Sequence, residues 1–88
     1  MGALWENFLI SERIKMLKYE NKSVNTFFWR SKSQAEVDYI EEENGGLRAY
    51  EIKWKPKKIK KNSFSTQYKT EIKLISKQNF QDFIFLEV

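Results

Sequence analysis

At 88 residues the chain makes at most one small domain, which would bury roughly 60–65% of its unfolded-chain surface. It contains no histidine and no cysteine, which removes zinc ribbons, histidine-metal nucleases, Cys–His hydrolases and Ser–His–Asp triads together. The net charge of +4 is modest, and three glycines cannot build a phosphate-binding loop, so any chemistry must run on carboxylates, lysines, hydroxyls or a bound hard cation.

Seven Phe, three Trp and four Tyr supply enough aromatic bulk for a compact core, and a single proline argues against disorder. No apolar run approaches membrane-spanning length. The N-terminus is interrupted by Glu6, Glu12, Arg13 and Lys15, which does not fit a signal peptide. Absence of cysteine fits a cytoplasmic protein.

Residues 3–18 predict a helix, free of Gly and Pro and rich in good helix formers. Its apolar residues (Leu4, Trp5, Phe8, Leu9, Ile10, Ile14, Met16 and Leu17) cover most of the circumference rather than one stripe. A helix of that kind is buried on several sides. The expectation is therefore a second chain packed on it, giving a homo-oligomer, or a fragment cut from a larger protein. Glu6 stands out as an acid in this apolar setting. The ordinary explanation is a favourable charge near a helix N-terminus.

Asn25 to Trp29 is a β-prone aromatic run and the expected first strand, followed by a polar turn at 30–33. Ala35 to Ile40 and Leu47 to Trp54 then read as strands, joined by Asn44-Gly45, a strong two-residue hairpin signal. Closed at that turn, the hairpin sets Asp38 across from Glu51 and Glu36 across from Lys53, all on one side of the sheet. Val37 and Tyr39 would oppose Ile52 and Tyr50 on the other side, as a packing face for a helix. Two carboxylates opposed across strands repel each other, and a cation between them, Lys53 or a divalent metal, would relieve that. Two other registers remain open. A Gly45-Gly46 loop would pair Asp38 with Lys53 as an ordinary ion pair, and a three-residue loop would put Asp38 and Glu51 on opposite faces.

Lys53, Lys55, Lys57, Lys58, Lys60 and Lys61 crowd the segment after the hairpin. Such a run is either a solvated loop or a landing strip for phosphates. Trp54 inside it, and the carboxylates just before it, support the second reading, and the first stays open. Ser63 to Thr70 predicts a short helix with Ser63 as cap and Phe64 and Tyr68 at i,i+4 spacing. Glu71 to Ser76 alternates as a further strand, Asn79 to Asp82 reads as a turn or helical stub, and Phe83 to Val88 as a last edge strand. The order is an α/β sheet, αβββαβ, with the hairpin at its centre.

That order, with an acid on the first helix, Asp38 on the second strand and Glu51-Ile52-Lys53 on the third, resembles the PD-(D/E)XK (restriction-endonuclease-like) superfamily. Three segments carry a closer resemblance: the run from Gly2 to Glu12, then Phe28-Trp29-Arg30 leading into Glu36-Val37-Asp38-Tyr39-Ile40, then Tyr50-Glu51-Ile52-Lys53. They look like the domain of unknown function at the C-terminus of many prokaryotic AAA+-type ATP-binding proteins. Val37 stands where the superfamily's namesake proline would be.

The resemblance covers almost the whole chain. It implies a single restriction-endonuclease-like domain over residues 1–88, a fragment of a larger ATPase-linked protein. Glu6, Asp38, Glu51 and the Ile52 carbonyl would ligate Mg²⁺ or Mn²⁺, and Asp38, Glu51 and Lys53 would be the catalytic residues. Lys53 would steer the attacking water or stabilise charge on the phosphate, with Glu36 as its partner. Lys55, Lys57, Lys58, Lys60 and Lys61 would hold the nucleic acid. The implied activity is metal-dependent hydrolysis of DNA. The competing expectations are a non-catalytic module that docks nucleic acid or protein for the ATPase, and a purely structural domain.

Overall fold

A computed structural model describes residues 2–30, 36–56, 58 and 63–85. In chain order the elements are α1 (Gly2–Tyr19), β1 (Asn25–Arg30), β2 (Glu36–Glu43), β3 (Gly46–Ile52), α2 (Ser63–Tyr68), β4 (Ile72–Ile75) and α3 (Phe80–Ile84). The strands form one sheet in the order β1-β2-β3-β4. The β1–β2 and β2–β3 pairs are antiparallel and β3–β4 is parallel, so the fold is mixed α/β. A parallel pair cannot be closed by a tight turn, and the crossover between β3 and β4 carries α2.

The hairpin closes as its turn residues dictate. Asn44 and Gly45 both adopt positive φ, 54° and 82°, the backbone a two-residue type I′ turn requires and that Asn and Gly tolerate best. The ladder runs from Glu43↔Gly46 to Tyr39↔Tyr50, which is the first of the three registers considered above. β2 continues past Ile40 to Glu43.

One irregularity rearranges what the register alone would give. Between Phe27↔Ile40 and Trp29↔Val37 the pairing of β1 with β2 shifts. Three steps along β2 thus match two along β1, a β-bulge that interrupts the alternation of side chains. As a result Val37 does not share a face with Tyr39, as simple alternation had it. It packs with Ile40, Ala49 and Phe64, against Trp29, Leu47 and Ile72, on the side covered by α2. Tyr39, Tyr50, Ile52, Ile75 and Phe83 pack with Leu9 on the other side, under α1 and α3.

α1 ends where Asn21 takes positive φ while the Asn21 and Lys22 amides return to the carbonyls of Lys18 and Leu17, a left-handed helix stop. The C-terminal strand expected from Phe83 is instead the end of α3. Phe83 is buried with its ring 5.8 Å from Tyr39 and 4.9 Å from Tyr50, and that packing outweighs the strand preference of a Phe-rich segment. Residues 86–88 lie outside the described residues. β1 is an edge strand, and Phe28 on it is 70% exposed.

Candidate functional site

Glu6 lies in the second turn of α1, past the point where a helix dipole acts strongly, so the ordinary explanation for it weakens. Burial pushes its carboxyl pKa up, the charge of Asp38 pushes it further, Lys53 pulls it down, and Glu36 adds a smaller upward push. Segments distant in sequence thus bring Glu6, Asp38 and Lys53 near enough for their charges to interact.

Asp38 sits at the bulge. Its Oδ2 accepts the Ile52 backbone N–H at 2.8 Å, just beyond the last ladder pair, where β2 and β3 part. Its carboxylate therefore binds β3 through an amide. Lys53 follows β3 directly; its own amide donates to the Ile75 carbonyl at 2.9 Å, and its side chain is exposed. Glu36 forms an ion pair with Arg30 at 3.1 Å.

Glu51 lies between Tyr50 and Ile52, which face α1, so strand alternation turns it toward the α2 side with Ala49. It is half-buried and opposite Leu74 of β4. Among the described residues no three acidic side chains stand close enough together to hold a metal ion. Asp38 acts on Glu6 at the end of the hairpin, while Glu51 turns to the other side of the sheet, and the three do not form a closed ligand set. The donor chemistry still suits a hard divalent cation: every candidate ligand is a carboxylate or carbonyl oxygen.

Of the lysine segment, Lys55 and Lys58 are exposed. Lys57, Lys60 and Lys61 lie outside the described residues.

The largest feature that sequence reasoning passed over is a buried carboxylate. Glu41 is 0% exposed and its two oxygens accept four hydrogen bonds. Arg13 Nε and Nη2 donate at 2.8 and 3.0 Å, Arg48 Nε at 2.9 Å and the Tyr39 hydroxyl at 2.8 Å. Arg13 also donates to the Phe83 carbonyl at 2.9 Å and lies over the Phe83 ring, while Arg48 reaches Glu43 at 2.9 Å. Burial alone would push the Glu41 carboxyl up, but the hydrogen bonds from Arg13, Tyr39 and Arg48 and the Arg13 charge outweigh it and hold the pKa below the ordinary carboxylate value. This cluster bolts α1, which carries Glu6, to β2, β3 and α3. The register offered the signal, since it places Arg48 directly opposite Glu41.

The profile of a domain of unknown function, DUF4143, matches residues 1–85. The chain belongs to the DUF4143 family. Comparison with curated proteins and with solved structures gave no match. For a DUF4143 domain, then, the assignment of chemistry rests on the residues themselves. In this one the described residues contain no helix long and apolar enough to cross a membrane.

Proposed function

We propose that this DUF4143 domain is a metal-dependent nuclease domain of the PD-(D/E)XK type, acting on DNA phosphodiester bonds in the cytoplasm as the C-terminal part of an ATP-binding protein. The observation that supports the reading is that Asp38, bonded to the Ile52 amide at 2.8 Å, and Lys53, just past β3, lie near enough to Glu6 on α1 for their charges to act on it. Glu6, Asp38 and the Ile52 carbonyl would hold Mg²⁺ or Mn²⁺, and Glu51, on the α2 side of the sheet, would have to turn to complete the set. Such an ion lowers the pKa of bound water and screens phosphate charge. Lys53 supplies an exposed positive charge near Glu6, suited to orienting a phosphate oxygen and to balancing charge built up on it. Asp38 also anchors its own strand to β3, so the acid is held in place by backbone rather than by a flexible partner.

The test is thermal unfolding with and without metal. Mn²⁺ at about 100 times its dissociation constant should stabilise the fold by about 2.7 kcal/mol, a rise of roughly 10–20 °C for a domain of this size. The rise should vanish in Asp38→Asn. An equal rise in native and variant chains would show that the ion binds elsewhere.

A docking role has an observation of its own. Leu4 and Phe8, at i,i+4 spacing on α1, are 85% and 51% exposed. Sedimentation should show the native chain self-associating, and Leu4→Lys with Phe8→Lys should make it monomeric. A native chain that stays monomeric at high concentration would remove the helix as a contact surface between copies.

A further inference from the structure

Each of two tryptophans is the chain neighbour of a site residue: Trp5 precedes Glu6 and Trp54 follows Lys53. Their rings meet edge to face, with centroids 5.1 Å apart at 87°. Trp5 is in turn braced edge-on by Phe80 at 6.1 Å and packs against the core on the α1 side. The backbone around Trp54 is pinned as well, by the Lys53 amide on Ile75 and by the Lys77 amide on the Trp54 carbonyl at 3.1 Å.

Despite that support, Trp54 remains 36% exposed, between the exposed side chains of Lys53 and Lys55. A core-filling role would have hidden the ring. What is offered is a partly exposed indole braced by Trp5, with the exposed Lys53 and Lys55 as its chain neighbours. The ligand matching both halves is a nucleotide, whose base has a flat π-face for the indole and whose phosphate suits the lysines. Bases inside a duplex are already stacked on their neighbours, and only an unpaired base has a free face to give.

We infer that Trp54, held by Trp5, is a stacking platform for an unpaired nucleobase, and that the nucleic acid reaches this site as a single or splayed strand. The inference rests on the nucleic-acid reading above and adds strand preference to it. Trp54 touches the ligand; Trp5 is a positioning residue, setting the platform beside Glu6 and Lys53.

The experiment measures binding of the full chain, in chelator so that nothing is cut, to a short single-stranded DNA and to the blunt duplex of the same length. Indole fluorescence and anisotropy are read together. The native chain should prefer the single strand, with its fluorescence quenched at saturation. Trp54→Ala should weaken single-strand binding by about 5- to 150-fold, the range for losing one stacked base, and leave duplex binding nearly unchanged. Trp54→Phe should restore most of the loss. Lys55→Gln with Lys58→Gln should lower affinity for both forms alike and flatten the salt dependence, as phosphate contacts do.

Equal affinity for the two forms overturns the platform, as does a Trp54→Phe variant no better than Trp54→Ala. Should Trp54→Ala fail to fold, the native chain still decides, because unquenched fluorescence at saturation with single strand overturns it too. Selective binding without any cleavage in Mn²⁺ would remove the nuclease reading and leave the platform standing.

Discussion

Asp38→Asn and Lys53→Ala should each lower metal-dependent DNA cleavage by at least about 100-fold, the scale of losing one charge-stabilising group at a reacting centre. Both variants should keep the fold, for reasons visible in the structure. An asparagine at position 38 retains an oxygen able to accept the Ile52 amide that Asp38 holds at 2.8 Å. Lys53 contributes its backbone to the sheet edge through the Ile75 carbonyl, which alanine preserves, while its side chain is exposed. Cleavage of a supercoiled plasmid in Mg²⁺ or Mn²⁺, with circular dichroism as the fold control, reads both effects. Activity that survives Asp38→Asn would point to a contaminating nuclease. A native chain with no activity in either metal, yet binding DNA, would leave the domain as a docking module.

The largest effect on stability should come from Glu41→Ala. It would strand the Arg13 guanidinium, whose side chain is only 12% exposed, without its acid. Breaking a buried ion pair costs about 3–5 kcal/mol, against a total of about 5–15 kcal/mol for a domain, so the melting midpoint should fall by roughly 12–40 °C. The same cluster sets a pH dependence. Because the folded state holds Glu41 below its ordinary pKa, its contribution is complete above the unfolded carboxylate range and is lost as pH falls through the lower folded value. Glu42 is held low in the same direction, by Asn25 and the Gly45 amide, but it is exposed and contributes less. Denaturant titrations across acid pH should show a steep loss of stability in the native chain and a shallower one in Glu41→Gln. A Glu41→Ala chain as stable as the native one would show that Arg13 finds equivalent partners.

How far these features could be read from sequence differs residue by residue. The central hairpin was open to reading because Asn44-Gly45 suits one backbone geometry, and that geometry fixes every pair in the ladder. The β2 bulge was not, since nothing local in Glu36-Val37-Asp38 announces an extra residue; it is set by pairing with β1. That one event moves Val37 across the sheet and gives Asp38 an amide to hold. Ending the second strand at Ile40 hides Glu41, which looks like the start of a solvated acidic run. Extending the alternation from Tyr39 by two residues would have turned it inward. Phe83 was misread because strand propensity is local, whereas its site between Tyr39 and Tyr50 is made by the tertiary fold.

Arg13 also ties together the extremes of the chain. Its guanidinium bonds Glu41, 28 residues onward, and the Phe83 carbonyl, 70 residues onward. Closing the longer loop instead of the shorter costs only about 0.8 kcal/mol more in chain entropy, so a single side chain turns nearly the whole polypeptide into a ring at little extra cost. Within such a ring α1 and α3 lose the freedom to fray separately, since either one leaving takes the clasp with it. The first helix and the last therefore behave as one cooperative unit, and the end of the hairpin inherits the stability of both.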